Sequence, residues 1–217
     1  MKNKDFAIFI LTHNRADKVK TIKTLKKVGY TGKIFIIIDN EDKTQDEYLN
    51  IYKKQVIIFD KKEIAKTFDE ADNFNDRRAI VYARNACFKI AKNLGIKYFM
   101  QLDDDYTAFE YRFDDKNKYN KKSIKNFDSI LDCMLNFYKK INCKSIAMMQ
   151  SGDMIGGKDG GYSKSIRTFR KVMNTFICST DREFKFVGRI NEDVNTYTNY
   201  QSKGSLFLSF NNVTMTQ

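Results

Sequence analysis

Apolar residues fall along this chain in two rhythms. Four near-continuous runs, "FAIFIL" (6–11), "KIFIIID" (33–39), "QVIIFD" (55–60) and "IKYFMQLD" (96–103), are apolar at successive positions. That pattern suits strands of a parallel sheet covered on both faces. Between the runs the spacing lengthens. Val19, Ile22, Leu25 and Val28 recur every three residues before Gly29, and residues 76–94 place Ile80, Ala83, Cys87, Ala91 and Leu94 on one face before Gly95. A glycine just past a periodic stretch is a helix stop. Strand–helix–strand alternation predicts an α/β fold. The expectation is a Rossmann-like single domain over 1–217, with a mostly parallel central sheet flanked by helices.

The second half reads differently. "AFEYRF" (108–113), "SIAMMQ" (145–150), "RKVMNTFICS" (170–179) and "SLFLSF" (205–210) read as strands. Residues 123–140 read as a helix with Ile124, Phe127, Leu131, Met134 and Tyr138 inward. "DDKNKYNKK" (114–122) reads as a charged loop. The segment "SGDMIGGKDGGYSKS" carries glycines at 152, 156, 157, 160 and 161, but lacks the G-K-[ST] ending of a P-loop. It reads as a flexible loop near a substrate.

Composition narrows the class. With 217 residues, 42% of them hydrophobic and 30% charged, the chain is large enough for one domain with a sizeable core. No proline-rich linker or repeat divides it. The run 6–11 is too short for a signal sequence or a membrane span, which predicts a cytoplasmic protein with no membrane partner. Cys87, Cys133, Cys143 and Cys178 have no C-x-x-C spacing, and His13 is the only histidine. They read as reduced, mostly buried thiols rather than a zinc site. The excess of 39 Lys+Arg over 27 Asp+Glu gives a formal net charge of +12. It favours a polyanionic partner, nucleic acid first, against the plain alternative of a solvated basic surface.

Against that charge, "YFMQLDDDY" places Asp103, Asp104 and Asp105 at the end of the fourth strand. Ligands of open α/β sheets bind beyond the carboxyl ends of strands. Adjacent carboxylates repel, and Mg²⁺ or Mn²⁺ removes the conflict while keeping positions open for phosphate oxygens. Asp103 and Asp105 are therefore candidate metal ligands, and Asp103 and Asp104 candidate contacts of a bound diphosphate. "LTHNRADK" ends the first strand with Thr12, Asn14 and Arg15, donors able to meet a nucleotide. "IIIDNED" ends the second with Asp39, placed to accept from a base or ribose. "RRAIVYARNACF" puts Arg77, Arg84 and Asn85 on the helix before the aspartates.

The order strand-THNR, strand-IDN, helix-ARN, strand-LDDDY and then "GRINEDVNTY" (188–197) resembles a GT-A glycosyltransferase. More narrowly it resembles the TET-associated glycosyltransferases, found in bacteriophages and near enzymes that oxidise DNA methyl groups. The match runs from Phe6 to about Gln217. The resemblance implies a GT-A-like fold, with 1–105 binding the nucleotide sugar and 106–217 forming the acceptor side. It implies a bacterial or phage-infected host cell. It also implies transfer of a sugar, most readily from a UDP-sugar, to a hydroxymethylated pyrimidine of DNA such as hydroxymethylcytosine. It carries a general-base role to Asp193 and a supporting or acceptor-binding role to Glu192. The bare residues allow an acidic helix start there. Members of that family usually continue past the segment matching "VTMTQ", which leaves acceptor-side elements beyond it an open question. Lysines at 18, 20, 23, 26, 27 and 33, and others from Lys116 to Lys125 around Tyr119, are the candidate DNA contacts. A glycan or protein acceptor, a nucleotidyltransferase, and a basic DNA-binding module with a decayed site stand as alternatives.

Overall fold

The computed structural model describes all residues except 1–2, 72–76, 78, 117, 155–165 and 168–174. Among the described residues ten strands form one sheet: β1 (Phe6–Leu11), β2 (Lys33–Asp39), β3 (Val56–Phe59), β4 (Tyr98–Asp103), β5 (Ala108–Phe113), β6 (Tyr119–Ser123), β7 (Ser145–Gln150), β8 (Ile166–Arg167), β9 (Ile177–Ser179) and β10 (Phe207–Thr216). Their order is β3-β2-β1-β4-β9-β7-β10-β5-β6, with β8 on β10. The helices are α1 (Lys20–Lys27), α2 (Gln45–Tyr52), α3 (Lys61–Ala65), α4 (Val81–Asn93), α5 (Phe127–Lys140) and α6 (Glu192–Ser202).

The N-terminal half is parallel, as expected: β1 pairs with β2 and β4, and β2 with β3. The expectation of a mostly parallel sheet fails beyond β4. β9 runs antiparallel between β4 and β7, and β5, β6 and β8 are antiparallel to their neighbours. The sheet is mixed because the short β9 lies between β4 and β7 and runs antiparallel to both. β10 nevertheless runs parallel to β7. Its last residues therefore finish on the same side as the end of β4.

β1 shows how the sheet divides the core. Phe6, Ile8 and Ile10 pack with residues of α1 and α5 on one face. Ala7, Phe9 and Leu11 pack with α3, α4 and Phe176, Phe184 and Phe186 on the other. Successive side chains of a strand point to opposite faces, so a strand buried on both must be apolar throughout. The two stop glycines are where the periodicity put them. After α1, Gly29 sits at φ 83° with its N–H on Lys26 O while Tyr30 N–H reaches Leu25 O. After α4, Gly95 and Ile96 make the same pair of bonds to Lys92 and Ala91. This is the Schellman arrangement, which needs a left-handed residue. A Cβ on Gly29 would also lie 2.7 Å from Lys125 O.

Several expectations are corrected. Residues 119–122 of the expected loop and Ser123, expected to open a helix, form the exposed edge strand β6, and that helix begins at Phe127; mostly polar on both faces, β6 has no apolar alternation to reveal it, and its lysines suit an unpaired edge. β10 continues to Thr216 through the polar pair Asn211–Asn212, where its register with β7 shifts. Leu94, just past α4, is exposed at 39%, whereas Arg84 and Asn85 within it are buried, because the helix is enclosed between the sheet and the segment around Phe186. Of the described residues of the expected strand 170–179, Ile177–Ser179 form a strand; 170–174, and most of the glycine-rich segment, lie outside the described residues. No described helix is long and apolar enough to cross a membrane.

Candidate active site

Three strand ends meet at one edge of the sheet. Leu11 is in register with both Asp103 and Ile37, so the segments after β1, β2 and β4 emerge side by side. Thr12, the first residue past β1, donates its hydroxyl to Asp104 Oδ2 at 2.5 Å and shares a 2.7 Å hydrogen bond with the Tyr48 hydroxyl. Arg15 Nε lies 2.9 Å from the same Asp104 oxygen. Asp104 is thus a buried tie between β1 and β4 rather than a group open to a diphosphate. Burial raises its carboxyl above the usual range, with Thr12 and Arg15 pulling the other way.

Beyond β2, Asp39 is held by protein donors. Its Oδ2 takes His13 Nδ1 at 2.9 Å and Lys61 Nζ at 3.1 Å, and its Oδ1 accepts from Glu41 N–H at 3.0 Å. Burial would raise its carboxyl, but His13 and Lys61 more than offset that and hold it below the usual range. The sequence reading made Asp39 an acceptor for base or ribose. In the structure most of that capacity is met from within, and the Lys61 ammonium is the donor that lines the pocket instead. Asn14 adopts φ 54°, a left-handed conformation asparagine tolerates, with its side chain bonded to His13 Nε2 and to Lys43 N–H. Leu11 to Arg15, Asp39, Phe59, Lys61, and Ala79, Ile80, Tyr82 and Ala83 around the start of α4 line a cavity of about 390 Å³. Thr12, Asn14, Arg15 and Asp39 are therefore brought to one pocket.

A second group of charges lies where β4 ends. Arg84 is 1% exposed. Its Nε donates to Glu192 Oε1 at 2.9 Å and its Nη2 to Asp103 Oδ1 at 3.2 Å, while Nη1 is buried without a partner. The guanidinium packs against the rings of Phe176 and Phe186, at 5.1 and 5.8 Å. Burial opposes its charge, yet Asp103 and Glu192 hold it firmly protonated. Asp103 is pushed up to about 6 by burial; Arg84 opposes this, and Glu192, Asp105 and Asp104 add to it. Asp193 is buried at the start of α6 beside Glu192. Asn85, expected at the donor, instead joins both amide atoms to the backbone of Phe186 at 2.9 Å and fastens α4 to that segment. Arg77 pairs with Glu41 at 3.0 Å, apart from Arg84.

Asp103 and Asp105 suit a hard cation. Each offers an oxygen within 3.4 Å of one nitrogen, Gln217 Nε2, so both carboxylates converge on a single point. Among the described residues no group of three or more His, Cys, Asp or Glu gathers as a metal site. Mg²⁺ and Mn²⁺ do not require one: one or two carboxylates with substrate phosphates and water suffice. Lys61, Tyr48 and Gln217 escaped the sequence reading. Only Lys61 had a signal, since "DKKE" after β3 is a helix start in which Asp60 caps Glu63 N–H.

The fold has a solved counterpart. The structure titled "Crystal structure of GalNAc-T7 with UDP, GalNAc and Mn2+" is similar to 98% of this chain at a TM-score of 0.53 and 12% identity. The chain spans 43% of that protein's length, and at such identity the likeness concerns the fold, a GT-A glycosyltransferase fold. No curated protein sequence matches the chain. The sequence profile described as "TET-Associated Glycosyltransferase" matches residues 6–217. The strand-end aspartates, the Arg84–Glu192 pair and nearly the full length of the fold thus fall within one match, and the chain belongs to the TET-associated glycosyltransferase family.

Proposed function

We propose that this glycosyltransferase is metal-dependent and moves a sugar from a nucleotide-sugar donor, a UDP-sugar foremost, to the hydroxyl of a hydroxymethylpyrimidine in DNA. The observation that carries the reading is Arg84, buried and shared between Asp103 of the aspartate turn and Glu192 of the "NED" segment. It joins a diphosphate-binding turn to the segment expected to activate an acceptor.

The nucleoside fits the pocket between Thr12 and Lys61, where the Lys61 ammonium offers a donor to carbonyl or hydroxyl oxygens. Arg15, half exposed at its guanidinium, reaches toward the phosphates from the same loop. A cation on Asp103 and Asp105 would supply Lewis-acid stabilisation of the departing diphosphate. Asp193 takes the proton of the acceptor hydroxyl as its oxygen bonds to the anomeric carbon and the bond from that carbon to the diphosphate breaks. Glu192, with one oxygen already on Arg84, orients the segment and the acceptor.

The acceptor assignment rests on the family and on charge. Lys18, Lys20, Lys23, Lys26 and Lys27 are all exposed. Gly29, just past α1, abuts Lys125, so this group borders the lysines of β6. Both are suited to a phosphate backbone. The test is incubation with a panel of nucleotide sugars and either hydroxymethylated or plain DNA, read by nucleoside mass spectrometry. Sugar on the modified base alone supports the proposal. Labelling of a glycan or protein in its place overturns the acceptor.

A further inference from the structure

The last strand delivers a side chain to the aspartate turn. Thr216 pairs with Ala108, and Thr107 N–H donates to Thr216 O at 2.8 Å, so the following residue is carried alongside 103–107. Gln217 Nε2 lies 3.2 Å from Asp105 Oδ1 and 3.4 Å from Asp103 Oδ2. Its Oε1 accepts from Gln150 Nε2 at 3.0 Å. The register explains this pair. Gln150 is opposite Met215, and Gln217, two residues on, shares the face of Met215.

We infer that Gln217 is a third protein ligand of the cation held by Asp103 and Asp105, presented by rotation of its amide, with Gln150 as its positioning partner. The inference rests on the metal site of the proposed function. Two carboxylates converging on one point call for positive charge, and a neutral N–H meets that need only in part. The two contacts are longer than the roughly 2.7–2.9 Å of a strong charge-assisted bond, so the nitrogen is weakly held. The other end of the same amide is a carbonyl oxygen, a hard neutral donor that suits Mg²⁺ or Mn²⁺. Turning the amide about its last torsion exchanges nitrogen for oxygen in nearly the same volume.

Gln150 makes that turn inexpensive. Before it, Gln150 Nε2 donates to Gln217 Oε1. After both amides turn, Gln217 Nε2 donates to Gln150 Oε1. The hydrogen bond survives with its polarity reversed, and no polar group is stranded. A valine or leucine at position 150 would leave Gln217 without that partner in either orientation. Gln217 is exposed, so its substitution bears on the site and not on the core.

The alternative role, a plain donor easing repulsion between the aspartates, predicts the opposite sign. Such a donor competes with the cation, and its removal would leave Mn²⁺ affinity equal or tighter. As a ligand, its removal weakens the site. The experiment titrates Mn²⁺ into the protein and reads the free-ion electron paramagnetic resonance signal, with no sugar transfer involved. Gln217→Ala is expected to weaken Mn²⁺ binding by about tenfold, Gln150→Leu by less, and Gln217→Glu to restore it to at least the wild-type value. Unchanged or tighter binding in Gln217→Ala, with Asp103→Asn still abolishing it, overturns the role of Gln217 and leaves the metal site standing. Absence of Mn²⁺ binding in the wild-type protein, with or without UDP, overturns both.

Discussion

Arg84 Nε donates to Glu192 Oε1 at 2.9 Å across 108 positions of the chain. Through its Nη2 on Asp103 the same guanidinium fixes α6 against the end of β4. Two acidic residues that would repel each other are held apart and aligned by one buried cation.

Arg84→Ala removes that cation and leaves two carboxylates poorly compensated. The expected cost is about 3–5 kcal/mol of folding stability, measured by urea denaturation, together with loss of transfer. Arg84→Lys keeps the charge but not the fork that reaches both partners, so it should fold better than the alanine variant and still transfer poorly. Wild-type turnover in Arg84→Lys would remove the bridging geometry from the mechanism.

Donor binding is expected to need a divalent cation. Calorimetric titration of UDP-sugars should show binding with Mn²⁺ or Mg²⁺ that collapses with EDTA, and Asp103→Asn or Asp105→Asn should behave as the EDTA sample does. Equal affinity with and without chelator ends the metal role of the two aspartates.

Asp193→Asn should lower kcat by roughly 10²–10⁴-fold with donor affinity within a few-fold of wild type, because a base acts only as the acceptor attacks. The same substitution at Glu192 should instead raise the acceptor KM and weaken stability through Arg84. If the two variants exchange these signatures in steady-state kinetics, Glu192 is the base.

Residues signalled by pattern were legible, and residues placed by tertiary pairing were not. The apolar runs of β1, β2 and β4 and the stops at Gly29 and Gly95 follow from local periodicity and backbone geometry, and the structure holds them all. Asp103, Asp105 and Arg84 were nameable because charge is anomalous beside apolar runs, whereas Glu192 and Asp193 stood out through the family resemblance. Lys61 had only the helix-start signal of "DKKE", which does not foretell that its side chain is 4% exposed on Asp39. Gln217 had no signal, since its proximity to Asp105 depends on β10 running on past the Asn pair to lie beside β5. β6 was hidden for the complementary reason: an edge strand polar on both faces has no period to read.

The Asp39 cluster carries a pH dependence whose sign is fixed. His13 and Lys61 hold its folded pKa below the ordinary carboxylate value, so the unfolded chain binds that proton more readily. The stabilisation is complete above the unfolded value near ~3.9 and is lost as pH falls through the folded one. Asp39→Asn leaves the buried Lys61 ammonium without its counter-charge and should be less stable than wild type near neutrality. Urea melts from about pH 6 down to about pH 3 should show that gap closing on acidification. A gap that stays constant, or widens, contradicts the role given to the ion pair.

The acceptor gives the prediction with most at stake. Contacts from the exposed lysines of α1 and β6 to DNA phosphates should make affinity fall steeply with salt, with a log–log slope of roughly −0.9 per phosphate neutralised. Glutamate substitutions at Lys23 and Lys27 should reduce that slope and weaken modified and plain DNA alike, because phosphate contacts carry no information about the base. A chain of formal charge +12 would bind any DNA in this way, so the slope alone assigns no acceptor. Product does. Plain DNA lacks the nucleophilic hydroxyl, so sugar should accumulate only on hydroxymethylpyrimidine DNA, at a rate that follows the salt-dependent affinity. If the lysine variants lose DNA affinity while modified DNA is never labelled by any donor, the basic surface binds nucleic acid without presenting its bases to Asp193, and the acceptor lies elsewhere.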